Sequence, residues 1–203
     1  MKRIDKVQQQ NPNGYEYQKQ SDRKLIKQEL IKDHGAYCCY TEYHLNGLSS
    51  IDIEHFDPDL KGTQKDSYMN WYSVLHKPNL YKKRSWNKYQ PILYPSDDRF
   101  DERLCFEGCV IKATDKNDQS AINLIEFLQL NKYELVNERR EHIDQLKALL
   151  EITNDIDTLK NFILKAPAYL SFSKLVENEF GFEATFVDDV KKIAKKNLSR
   201  KLK

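Results

Sequence analysis

The chain has 203 residues, 39% of them hydrophobic and 32% charged, with a formal net charge of +2. That length buries a core as one sizeable domain or two small ones, and no apolar run approaches the roughly 18 residues of a membrane span. Near-balanced charge excludes a general polycation, so any grip on an anion must come from local clusters. The start, Met1-Lys2-Arg3-Ile4-Asp5, lacks the apolar stretch of a signal peptide, and the cytoplasm is the expected compartment.

Residues 1–20 are polar, with a loop signal at Asn11-Pro12-Asn13-Gly14. Leu25, Ile26, Leu30 and Ile31 then recur at helical spacing, with Ser21 as the expected N-cap and His34-Gly35 as the stop. Ala36 to Tyr43 reads as a strand, and Ser50 to Phe56 as a second, alternating Ile51 and Ile53 with Asp52 and Glu54. Asn46-Gly47 supplies a turn, so these two are expected to form a hairpin. Pro58 and Gly62 mark an irregular excursion.

Ser67 to Lys83 reads as helical, interrupted near Pro78. A loop follows through Pro91, Pro95 and Asp97-Asp98, then a short strand at Phe106 to Ile111 broken by Gly108. The remainder carries apolar stripes: Ala121 to Leu128, then Val136, Ile143, Leu146 and Leu150, then Ile156 to Ile163, Leu170 to Val176, and Val187 to Leu198. The stripes describe a packed helical core. The expected fold class is α+β, with a hairpin-plus-helix unit in residues 1–100 and a mostly helical region in 101–203 that offers a partner-docking surface.

Four cysteines, Cys38, Cys39, Cys105 and Cys109, read as free thiols: adjacent Cys38-Cys39 is poor disulfide geometry, and Cys105-x3-Cys109 lacks a second ligand pair. Basic residues cluster twice. Lys82, Lys83, Arg84 and Lys88 interleave with Tyr81, Trp86 and Tyr89, and the segment from Lys191 to Lys203 carries basic residues and no acidic one. The first cluster is the candidate nucleic-acid contact; the second reads equally as a solvated helix face.

The chemistry-bearing residues are Glu54-His55, at the end of one strand, and Asn79 with Lys82 downstream. A carboxylate and a carboxamide can hold a divalent cation, and an imidazole beside it can take a proton from water. Lys82, one helical turn after Asn79, is placed to meet a phosphate oxygen. His76, three positions before Asn79, is a further candidate ligand if the helix is regular there, and Pro78 argues against that regularity. His34, His44 and His142 have no partner motif and read as surface residues.

The order Cys38-Cys39-Tyr40-Thr41-Glu42, Ile53-Glu54-His55-Phe56-x-Pro58, Trp71-x-Ser73-Val74, Asn79-x-x-Lys82 resembles the HNH endonuclease family with its ββα-metal fold. More narrowly, it is similar to the HNH subunit of the Septu anti-phage system and its retron-linked relatives. The resemblance implies a nuclease using one Mg²⁺ or Mn²⁺ and cutting nucleic acid, DNA rather than RNA, beside an ABC/SMC-like ATPase. It makes His55 the general base, Glu54 the acidic metal ligand, Asn79 the final ligand and Lys82 the closing lysine.

Three departures stand out. Thr41 replaces a cysteine, His76-Lys77-Pro78 replaces the C-x-x-C before Asn79, and Ser73 replaces the middle asparagine. No structural zinc is therefore expected, and packing of Cys38, Tyr40, Tyr43 and Trp71 is expected to hold the hairpin instead. The departures leave open a degenerate subunit that binds nucleic acid or braces the ATPase without cutting.

Overall fold

The structure is a computed structural model describing residues 6, 14–46 and 49–201, without the side chains of 184, 195 and 197–201. The fold is α+β. Helix α1 (Gln20–Asp33) precedes strand β1 (Ile51–His55), which pairs antiparallel with β2 (Trp71–Leu75), and helix α2 (His76–Tyr81) follows at once. After the short helix α3 (Phe100–Arg103), a second antiparallel pair, β3 (Leu104–Glu107) and β4 (Val110–Ala113), turns at Gly108, whose φ is +54°. The chain then becomes helical: α4 (Gln119–Phe127), α5 (Tyr133–Thr153), α6 (Ile156–Lys165), α7 (Ser173–Phe180) and α8 (Ala184–Lys201). Among the described residues no helix is long and apolar enough to cross a membrane.

The hairpin differs from the one expected. Residues 36–43 form a buried turn with a single bridge, Tyr37 to His44, because Ala36 (φ +66°) and Glu42 (φ +57°) sit in the left-handed region that no strand adopts. The partner of β1 is instead Trp71–Leu75, from the stretch read as helix; only His76–Tyr81 is helical there. An apolar run this short fits either period, and pairing with β1 decides it. Pro78 lies in the first turn of α2, where its missing N–H costs nothing, so the helix is regular around it. Two other boundaries move. Ser21 lies inside α1, whose N-cap is Lys19, and the broken strand at 106–111 is the β3–β4 hairpin. Gly47 of the expected Asn46-Gly47 turn lies outside the described residues.

Three apolar clusters make the core. The largest joins Cys38, Cys39, Tyr40, Phe56, Tyr72 and Val74 to Trp86, Leu93, Phe100, Leu104 and Phe127. The boundary expected at residue 100 therefore falls inside one continuous core. A second cluster packs α5, α6, α7 and α8 around Leu146, Ile163 and Val187. Trp71 belongs to a third, with Ile26, Leu30 and Tyr68, so it anchors α1 to β2 and does not pack with Cys38 and Tyr40; Tyr43 leans on Phe172. Cys38 holds the buried turn to β2 by accepting the Leu75 N–H on its sulfur (3.3 Å). Near β2, the buried Lys6 ammonium donates to the Tyr68 and Trp71 carbonyls and lies 3.7 Å from the centre of the Tyr72 ring. Burial lowers its pKa to about 7, against the pull of Cys39 and Asp33.

Two buried charged groups cross-link these parts. Arg139 is 1% exposed and donates to the carbonyls of Cys109 and Leu130 (2.8 Å each), tying α5 to the β3–β4 turn and the end of α4. Glu42 accepts from the Ser173 hydroxyl (2.9 Å) and from Lys191 (3.2 Å), tying the buried turn to α7 and α8. Burial pushes the Glu42 carboxyl up, but the Lys191 charge and these hydrogen bonds outweigh it and hold the pKa at about 2.

A depressed carboxylate stabilises the fold above its ordinary pKa of 4.5 and stops doing so as pH falls through 2. Glu42→Gln should therefore cost roughly 3 kcal/mol at neutral pH. In urea titrations the gap between wild type and variant should narrow below pH 4.5 and close toward pH 2. A gap that does not change with pH would contradict this role.

Candidate functional site

Successive side chains of a strand point to opposite faces, and β1 follows that rule strictly at its end. Asp52 and Glu54 reach toward α2, whereas His55 turns to the opposite side, against Tyr17, Asp66 and Trp71. The candidate residues are thereby divided among three local contacts. They do not converge on one point.

The first contact is Glu54 with Lys82. The Lys82 ammonium donates to the Glu54 carboxylate and to the main-chain carbonyls of His55 (2.7 Å) and Phe56 (3.2 Å). Its side chain is 9% exposed, and burial lowers its pKa while the Glu54 charge opposes the drop. Lys82 thus clamps the end of β1 to the end of α2 as an internal cation. It is not free to meet a phosphate, and Glu54 is not free to hold a metal while this contact stands.

The second contact contains His55, which is 3% exposed. Its Nε2 lies 3.1 Å from Asp66 Oδ2, and its ring meets Tyr17 edge-on at 4.4 Å. A carboxylate only accepts, so the Asp66 contact places the proton of the neutral imidazole on Nε2 and leaves Nδ1 as the basic nitrogen. Desolvation lowers the His55 pKa, against the raising effect of Asp66, and keeps the ring neutral and fit to accept a proton. Asp66 also accepts from Trp71 Nε1 (2.6 Å) and from the Gly62 N–H (3.0 Å), so one carboxylate fixes the loop, the strand and the imidazole together.

The third contact joins His76 and Asn79, which share a face of α2. His76 Nδ1 lies 2.8 Å from Asp52 Oδ2, and the Asn79 amide donates to the same oxygen at 3.0 Å. Carboxylate, imidazole and carboxamide together are a donor set that suits a sparse divalent-cation site. Asp52 and Asn79 line an open groove of about 550 Å³ along the outer edge of β1. Asp52 pairs there with the exposed His76 and with no lysine or arginine among the described residues, so the residues present fit a cation at Asp52, His76 and Asn79 better than at Glu54, which Lys82 occupies. Among the described residues no three His, Cys, Asp or Glu side chains gather as a metal site, so the carboxamide is needed to complete a set of three.

The remaining candidates lie elsewhere. Ser73 is fully buried and bonds His34 Nδ1 at 2.7 Å, so it braces α1 against β2; His34, expected at the surface, is buried for the same reason. Lys83, Arg84 and Lys88 are exposed on the segment after α2 and do not line the groove. Two functional candidates went unread in the sequence. Asp52 was legible, because period-two alternation puts it on the Glu54 face. Asp66 had no local signal, since it sits in an irregular loop and meets His55 only in the folded chain. No family model, curated protein or solved structure matches the chain.

If Lys82 is the clamp described, Lys82→Met should destabilise the protein by roughly 2–4 kcal/mol, because it strands the Glu54 carboxylate and two carbonyls. Glu54→Gln in the same chain should recover part of that loss. Additive single and double variants in a urea double-mutant cycle would show that the two side chains are not coupled.

Proposed function

We propose that the chain is a metal-dependent nuclease of HNH type, hydrolysing phosphodiester bonds of nucleic acid with one Mg²⁺ or Mn²⁺. The observation that supports it is the order β1, β2, α2, with Glu54-His55 at the strand end, Asn79 on the helix packed against it and Lys82 just past the end of that helix. The element order is the one the motif resemblance implies, although the four side chains do not converge on one point. The resemblance also carries the role of effector in an anti-phage complex, DNA as substrate and an ABC/SMC-like ATPase as partner.

Within this reading His55 takes a proton from the attacking water through Nδ1, with Asp66 fixing its tautomer and orientation. Asp52 and Asn79, with His76 beside them, would hold the cation, with Asp52 in place of Glu54. A cation held by them would supply Lewis-acid chemistry, polarising a phosphoryl oxygen and stabilising the leaving oxygen. Glu54 acts through Lys82, keeping the strand end in register with the helix. Tyr17 covers the His55 ring and lines the groove that holds Asp52 and Asn79, so it stands between base and cation site. Substrate reaches His55 by displacing Tyr17.

One observation favours the rival reading, a degenerate subunit that binds but does not cut. Lys82 already satisfies the carboxylate that the family uses as metal ligand. A cutting assay on plasmid DNA and on RNA, with Mg²⁺ or Mn²⁺ and with the ATPase partner present, separates the two. Wild type should cut, and His55→Ala should be slower by at least ~10²-fold, the usual loss of a general base, while still melting cooperatively at a temperature lowered by the lost Asp66 and ring contacts. Tyr17→Ala should cut at least as fast as wild type. Wild type and His55→Ala both leaving nucleic acid intact would end the enzyme reading.

A further inference from the structure

The groove along β1 carries positive charge that the motif does not account for. One wall is α1, which presents Arg23, Lys24 and Lys27; the turn after β1 adds Lys61 from another part of the chain. Arg23, Lys24 and Lys61 are exposed and Lys27 half-buried. Lys24 and Lys27 are three positions apart and share a helix face. The opposite wall is the outer edge of β1, the strand of a two-stranded sheet that has no further strand beside it among the described residues.

These cations are not consumed by neighbours. Arg23 donates through Nε to the Tyr17 carbonyl (3.0 Å), and its guanidinium lies 5.0 Å from the Tyr17 ring centre. Lys24, Lys27 and Lys61 have no ion-pair partner among the described residues. The acids of α1 are engaged elsewhere: Asp22 accepts the Glu16 N–H (3.0 Å) and the Ser21 hydroxyl (2.9 Å), and Glu29 lies 3.6 Å from Lys32. On the strand side the Glu54 charge is met by Lys82, and the Asp52 carboxylate by His76 and Asn79. A solvated helix face accounts for cations on one element. It does not account for cations from two elements converging on the groove that also holds Asp52 and Asn79.

We propose that this groove is the phosphate track of the protein: Lys24, Lys27 and Lys61, with Arg23 beside them, bind the sugar–phosphate backbone of nucleic acid along the edge of β1. This rests on the nucleic-acid reading above and names the surface it uses. It moves the backbone contact from Lys82, Lys83, Arg84 and Lys88 to α1 and the turn after β1. A backbone seated there passes Asp52 and Asn79 and reaches Tyr17, the cover of His55.

The test is binding of a fluorescein-labelled, mixed-sequence DNA duplex in EDTA, followed by anisotropy over a range of salt. EDTA prevents cutting, so binding is read apart from catalysis. Lys24→Ala/Lys27→Ala/Lys61→Ala should bind at least ~10-fold more weakly at about 0.1 M salt, and flatten the slope of log K against log salt by roughly 2–3. Lys83→Ala/Arg84→Ala/Lys88→Ala should keep the wild-type slope. Melting curves for both triple variants should match wild type, since the substituted side chains make no ion pair among the described residues. A groove variant with the wild-type slope, a loss confined to the other triple, or no duplex binding by wild type would each overturn the phosphate track. None of these depends on cleavage in Mg²⁺, and a protein that binds through the groove without cutting would keep the track and lose the chemistry.

Discussion

The Lys82 ammonium, buried between the Glu54 carboxylate and the carbonyls of His55 and Phe56, is the constraint on which the site depends. An ammonium taken out of water is stable only if acceptors replace its hydration, and here three do so from adjacent residues of one strand end. They fix the last turn of α2 against the end of β1. Once that register is set, period-two alternation leaves no freedom: Glu54 and Asp52 face α2, and His55 faces the α1 side. Asp66 then takes the imidazole, and Tyr17 closes over it.

Other buried polar groups follow the same logic at longer range. Glu42 lies in a turn that is itself strained into positive φ, and it collects a hydroxyl from α7 and an ammonium from α8. Arg139 does the equivalent for the β3–β4 hairpin, donating only to neutral oxygens. Burial accordingly lowers its pKa to about 10. Such groups cost desolvation, and removing one strands its partners in the interior. They make the region around β1 and β2 depend on the helices that follow it, consistent with one core running through residue 100.

Much of this was legible in the sequence, and the failures have physical causes. Helix α1, strand β1 and the C-terminal helices show clean apolar periods, and each formed close to where the period placed it. The turn at residues 36–43 reads as a strand because Tyr and Cys favour strands, while the positive φ of Ala36 and Glu42 leaves no compositional trace. The partner of β1 is not legible because Trp71 to Leu75 is too short for its period to decide. Pairing across the long loop after His55 is a non-local choice that local turn signals do not report. At the site, Glu54, Asn79 and Lys82 could be named from their order, but not the way strand alternation separates Glu54 from His55. Asp66, Tyr17 and the cations of α1 enter through tertiary contacts alone.

On the proposed reading the cation belongs to Asp52, His76 and Asn79, with Lys82 remaining on Glu54. Anomalous difference density from crystals soaked in Mn²⁺ addresses it directly. The expected result is a peak bonded to Asp52 and Asn79, with the Lys82 ammonium unmoved. A peak seated on Glu54 with Lys82 displaced, or no peak in the groove at all, would contradict it.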